Sequence, residues 1–269
     1  MPVLALPMYD WPEVRDATDG WGRGLSLHLK AHGFDAPVGL ARTGHYQDSW
    51  RSPDLLLSQT CGYSYANEFA GRLAAIVTPH YDVDGCAGPN YSSHIMVRAK
   101  DGIGRPAELA GRTAAYNNRD SMSGMLALKL VFAPFAEDGK FFGEAIESGG
   151  HVKSLEALQT GRVDVCAIDS VCVAIARRHR PELLEGIVAI ARSPSVPGLP
   201  YVTLASREPE EIGRMRQAVA DAFADPTLAQ ARAGLFLKGF SLLTPSDYAV
   251  MRDLERDMTA SGGLALWSD

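Results

Sequence analysis

Two rhythms of apolar residues alternate along this chain: short continuous runs, and longer stretches in which apolar positions return every third or fourth place. The first rhythm reads as buried strand and the second as amphipathic helix, so their alternation predicts an α/β architecture of mixed or largely parallel sheets flanked by helices. Residues 3–6, 55–57, 73–77, 93–98, 113–116, 163–168, 187–191 and 201–205 read as strands. Helices are expected over 18–31, ending at Gly33, over 121–131, bounded by Pro134, over 151–160, closed by Gly161, and from Ser170 to Pro181. The clearest helix spans 206–223, where Ile212, Met215, Val219 and Phe223 fall on one stripe. A Gly/Pro/Asp-rich link is expected from Pro79 to Pro89, and only helices after residue 205.

Polar clusters follow several of the strands. They are Tyr9-Asp10-Trp11, the Gln59-Thr60 segment leading to Tyr63, the turn from Asn118 to Gly124, and Asp169-Ser170. Ligands of open α/β sheets sit at the carboxyl ends of strands, so these positions are the candidate site. In the turn, Ser121 and Ser123 supply hydroxyls, Gly124 lets a ligand approach the backbone, and the helix start offers free N–H groups to an anion. His151, at the next helix start after Ser148-Gly149-Gly150, has an imidazole able to donate to the same anion. Each cluster also has an ordinary structural reading: a helix cap for Ser121 or Asp169, a buried anchor for Tyr9, a satisfied loop for Gln59-Thr60.

Composition narrows the function classes. The chain has 269 residues, enough for one large domain or two lobes, and its 46% hydrophobic content excludes a mainly disordered protein. A net charge of −6 argues against non-specific nucleic-acid or anionic-membrane binding, and no segment is apolar for long enough to insert in a membrane. The first ten residues carry no basic region and too short an apolar stretch for a secretion signal, which on its own favours a soluble chain that is not exported by this segment. The four cysteines, Cys61, Cys86, Cys166 and Cys172, have no metal-ligand spacing and read as reduced thiols. With no P-loop and no convincing carboxylate pair, neither a metal nor a cofactor is expected.

The segments Tyr91-Ser92-Ser93-His94-Ile95-Met96-Val97-Arg98, Glu108-Leu109-Ala110-Gly111-Arg112, Asp120-Ser121-Met122-Ser123-Gly124, Gly149-Gly150-His151, Gly161-Arg162-Val163-Asp164-Val165 and Ala167-Ile168-Asp169-Ser170 carry a family likeness. In order and spacing, over roughly residues 50–205, the chain resembles the phosphate/phosphite/phosphonate substrate-binding proteins of ABC importers. The resemblance implies a type II periplasmic-binding fold. Lobe 1 would be 1–92 plus 192–269 and lobe 2 would be 93–191, joined by crossing strands near 91–98 and 187–205, with the ligand cleft between them. It further implies a small anionic ligand, an ABC permease as partner, a periplasmic location and no catalysis. Among site residues it implies that Ser121 and Ser123, with Asn118 and Gly124 in the same turn, grip the anion, and that Tyr91 and His151 contact it. Asp169 would face an amino group or a protonated oxygen, while Tyr9, Gln59 and Thr60 match the family less closely.

The chain departs from the family where Met122 replaces a hydroxyl residue and where Val152-Lys153 replaces a position that is more often acidic. With the missing leader, these departures keep two alternatives open on the same fold. One is a cytoplasmic enzyme acting on a small carboxylate, similar to the chorismate-dehydrating enzymes, with His151 and Asp169 as its acid–base pair; the other is a cytosolic ligand sensor.

Overall fold

The structure is a computed structural model and describes residues 1–42 and 44–267. Its internal contacts divide the chain into two units, each built around one five-stranded sheet. The first holds residues 1–82, 87–90 and 197–248; the second holds 83–86, 91–196 and the chain from 249 onward. The division falls within the short strands Cys86–Ala87, Asn90–Tyr91 and Val196–Pro197.

The sheet of the first unit runs Val3–Ala5, Leu55–Gln59, Tyr201–Leu204, Leu73–Tyr81, Leu237–Ser241. Only the first pair is parallel; the other three are antiparallel. The Arg15–Ala31 helix covers this sheet because Trp21, Leu25 and Leu29 recur at four-residue steps and are fully buried against Leu4, Leu57 and Ile76. Each such side chain contributes about 1.5–3 kcal/mol on burial. Trp21 also donates its Nε1–H to Tyr201 Oη at 2.8 Å, so the indole brings no unpaired polar atom into the core. The Pro209–Ala224 helix adds Met215 and Val219 to the same core, with Ile212 and Phe223 partly buried beside them. It starts at Pro209 rather than Ser206, since Glu208 and Glu211 close a capping box there.

Two expectations for this unit fail. The chain after 205 is not all helix: Leu237–Ser241 is a strand whose Leu-Lys-Gly-Phe-Ser pattern offers too few apolar positions to read as one. Its partner, Leu73–Tyr81, continues past 77 through Pro79, which lies opposite Phe240. The link expected from Pro79 is therefore partly strand.

The second unit's sheet runs Ile187–Arg192, Ser93–Arg98, Val165–Asp169, Thr113–Tyr116, Glu144–Glu147. Its first two pairs are antiparallel and its last two parallel, so the sheets are mixed rather than largely parallel. The edge strand Glu144–Glu147 escaped the sequence reading because it begins and ends on glutamate and is only half-buried between. Ile95 and Val97, Val165 and Ile168, with Leu126, Leu128, Leu155 and Leu158, are all fully buried.

The segment from 249 onward packs with this second unit, whereas the sequence reading grouped it with the first. Packing explains the difference. Met251 of the Val250–Ala260 helix is fully buried, Leu264 and Leu266 are nearly so, and the Trp267 ring lies 5.6 Å from that of Tyr116. Among the described residues no helix is long and apolar enough to cross a membrane.

Candidate functional site

In the second unit the Thr113–Tyr116 strand ends in a turn that leads into a helix, and the first turn of that helix is wider than α. Leu126 N–H donates to the Ser121 carbonyl at 3.0 Å, a five-residue step that makes Met122–Leu126 a π-helical turn before the regular Ala127–Phe132 helix. The sequence reading expected an ordinary α-helix here. Ser121 is its N-cap: the hydroxyl oxygen accepts from Gly124 N–H at 3.1 Å, which leaves the hydroxyl hydrogen to donate elsewhere. Glycine is required at 124 by close approach. A Cβ there would fall 1.8 Å from Asn117 Oδ1 and 3.0 Å from the Asn117 backbone nitrogen.

A second loop is laced to the end of the same strand. Ser148 N–H and Oγ–H both donate to the Tyr116 carbonyl, and Gly149 N–H donates to the Asn117 carbonyl at 2.8 Å. Gly149 adopts φ +82°, a conformation costly for any residue with a Cβ, and this turns the chain into the His151–Gln159 helix. The result is a contact that sequence spacing alone does not give: Ser123 Oγ and His151 Nε2 are 2.9 Å apart.

His151 is held neutral. Burial disfavours the imidazolium more than the Ala167 backbone favours it, which lowers the pKa to about 4. A neutral ring has one N–H. When Nε2 carries it, His151 donates to Ser123 Oγ and frees the serine hydrogen for an oxyanion. His151 Nδ1 and Asn117 Oδ1 are both buried without a hydrogen-bond partner of ordinary geometry among the described residues. Ser121 and Ser123 are each 7% exposed, and the Met122 side chain is buried at 1%. The Met122 thioether therefore points into packed protein. Asn118 accepts Ser121 N–H on its carbonyl at 3.2 Å, shaping the turn through its backbone. Asp169, at the end of Val165–Asp169, turns onto its own helix and accepts Val171 N–H at 2.7 Å. Tyr91 is buried at the end of Asn90–Tyr91.

In the first unit, Tyr9 and Gln59 converge on Tyr81. The Tyr9 and Tyr81 rings meet edge to face at 5.3 Å, and Gln59 Nε2 donates to Tyr81 Oη at 2.9 Å and to the Leu199 carbonyl at 3.3 Å. Both amide hydrogens of Gln59 are thus used. Trp50 Nε1–H holds the Gln59 carbonyl at 2.9 Å, and Thr60 N–H donates to the Pro200 carbonyl at 3.1 Å. Sequence reasoning missed Tyr81, which lay inside the expected link, and passed over Asn117 and Ser148, whose polar side chains at a strand end were the available signal.

Comparison with known proteins gives the family and the fold. The model of the family "ABC transporter, phosphonate, periplasmic substrate-binding protein" matches residues 53–248, well over half of the chain. No curated protein sequence matches significantly. Among solved structures, a binding-protein component of an ABC phosphonate transporter from Pseudomonas aeruginosa is similar with a TM-score of 0.75 at 18% identity, covering 97% of this chain and 87% of that one. PhnD1 from Prochlorococcus marinus, in complex with methylphosphonate, gives 0.74 at 16% identity, covering 91% and 94%. XAC2383 from Xanthomonas citri, bound to chloride ion, gives 0.73 at 16%, covering 97% and 98%. At these identities the structures establish the fold, that of type II periplasmic binding proteins. Taken with the family match across both units, they mean that the chain belongs to the periplasmic substrate-binding proteins of ABC phosphonate transporters.

Proposed function

We propose that this protein is a solute receptor that takes up a small phosphorus oxyanion, phosphonate- or phosphate-like, and presents it to an ABC permease from the periplasmic side. The observation that carries the reading is the Ser123–His151 pair at 2.9 Å beside the Ser121-capped helix start. Two hydroxyls and the free N–H groups of a helix start suit an oxyanion without a metal. In this reading the Ser121 and Ser123 hydroxyls grip the oxyanion, Gly124 lets it approach the helix start, His151 acts through Ser123, and Asn118, Tyr91 and Asp169 border the site. Tyr9, Gln59 and Thr60 hold the first unit's own fold, and lobe closure follows from contacts that ligand makes only in the closed state.

The enzyme alternative needs a working base. A histidine held at a pKa of about 4 is a poor one near neutrality, and the Asp169 carboxylate already caps a helix. Both facts favour binding over turnover.

A thermal-shift and calorimetric screen tests the reading, using methylphosphonate, phosphite, phosphate, sulfate and chorismate. Stabilisation by a phosphorus oxyanion that is recovered unchanged is expected, since a ligand held only by the native state raises stability by mass action. No response to any of the three, or consumption of chorismate, overturns it.

A further inference from the structure

Both ends of the Ser121 turn are tied to one indole ring. On the strand side, the Tyr116 ring lies 5.6 Å from Trp267, and the Arg119 guanidinium carbon sits 4.7 Å from the Trp267 ring centroid. On the helix side, the Lys129 ammonium sits 4.8 Å from the same centroid. The segment that carries the indole is fixed in its own right. Leu264 and Leu266 are 4% and 5% exposed, and Ala265 N–H donates to the Gly139 carbonyl at 2.9 Å. Two like charges over one ring would repel, and each is offset by an acid: Glu147 lies 3.5 Å from Arg119, and Glu255 acts on Lys129. The ring quadrupole attracts both cations, so it clasps residues 119 and 129 across the turn that separates them.

We propose that Trp267 is a positioning residue for the 117–126 turn, setting the geometry of Ser121 and Ser123 through Arg119 and Lys129. No sequence motif marks it. Trp267 lies outside the segments that carry the family likeness and beyond the residues matched by the family model, 53–248. Its effect on affinity rests on the reading of this turn as the oxyanion site; its effect on the turn itself does not.

The two parts are tested separately. Amide hydrogen exchange is measured without ligand on the wild type, Trp267→Ala, Trp267→Phe and Arg119→Gln. Trp267→Ala is expected to raise exchange over 117–126 by about tenfold while the His151–Gln159 helix and the Val165–Asp169 strand stay as they were. Phenylalanine, which keeps an aromatic face, falls between, and Arg119→Gln reproduces part of the effect. Unchanged protection over 117–126, or a rise spread evenly across the whole second unit, overturns the proposal. Affinity for methylphosphonate is then expected to fall about tenfold in Trp267→Ala. Where the wild type binds no phosphorus oxyanion and the exchange pattern still appears, the clasp stands and the proposed ligand fails.

Discussion

The two candidate clusters, one in each unit, are built on opposite principles. In the first unit Tyr9, Gln59 and Tyr81 satisfy one another: an edge-to-face ring pair, an amide with both hydrogens used, and a carbonyl held by Trp50. In the second unit Ser121 keeps a hydrogen to give, and so does Ser123 when His151 donates to it. An oxyanion needs donors, and a hydroxyl hydrogen that the fold does not use is one. The contrast assigns a scaffold to the first cluster and recognition to the second.

Removing the hydroxyls attacks the contrast most directly. The double change Ser121→Ala with Ser123→Ala is expected to weaken binding of methylphosphonate or phosphite by about 3–6 kcal/mol, at about 1.5–3 per charge-assisted bond. Measured by titration calorimetry, undiminished affinity would remove the turn from the site.

The next effect is on stability against pH. His151 has a folded pKa of about 4, below its ordinary value of 6.5, so between those limits the unfolded chain binds a proton that the folded chain refuses. Its contribution is complete above about pH 6.5 and is lost as the pH falls towards 4, a span worth about 3 kcal/mol. Denaturant unfolding of the wild type should follow that slope. His151→Gln should flatten it, and an identical slope in the variant would mean that the imidazole is not the titrating group.

Smaller again is Gly124→Ala. The new methyl meets Asn117, and a loss of about 1–3 kcal/mol is expected, partly restored when Asn117→Ala is added. Strict additivity of the two changes in unfolding free energy would refute the contact. Smallest is Gln59→Leu, expected to lower stability by about 1 kcal/mol while changing oxyanion affinity less than threefold. A large affinity loss with stability intact would move Gln59 from scaffold to recognition and dissolve the contrast.

Much of this was legible in residue order. The strands at 93–98 and 113–116 and the helix start at His151 stand where apolar runs and Ser148-Gly149-Gly150 place them, because those elements are set by local pattern. What was not legible depends on partners distant in sequence. The Leu237–Ser241 strand exists because Leu73–Tyr81 offers it an edge, and residues 249–267 join the second unit through the buried Met251, Leu264 and Leu266. The Ser123–His151 pair needs two loops tied to one strand end, and the pKa of the histidine is a property of burial rather than of spacing.

The wide turn at Met122–Leu126 has a consequence for how this protein changes over generations. A π turn holds one residue more than an α-helix needs, and each residue of an α-helix advances about 100° around the axis. Loss of a single codon here would let the helix wind regularly, while every side chain between the deletion and the strand end shifted face at once. Point substitution retunes such a site by degrees. Insertion or deletion of one residue exchanges the whole set of groups that it presents.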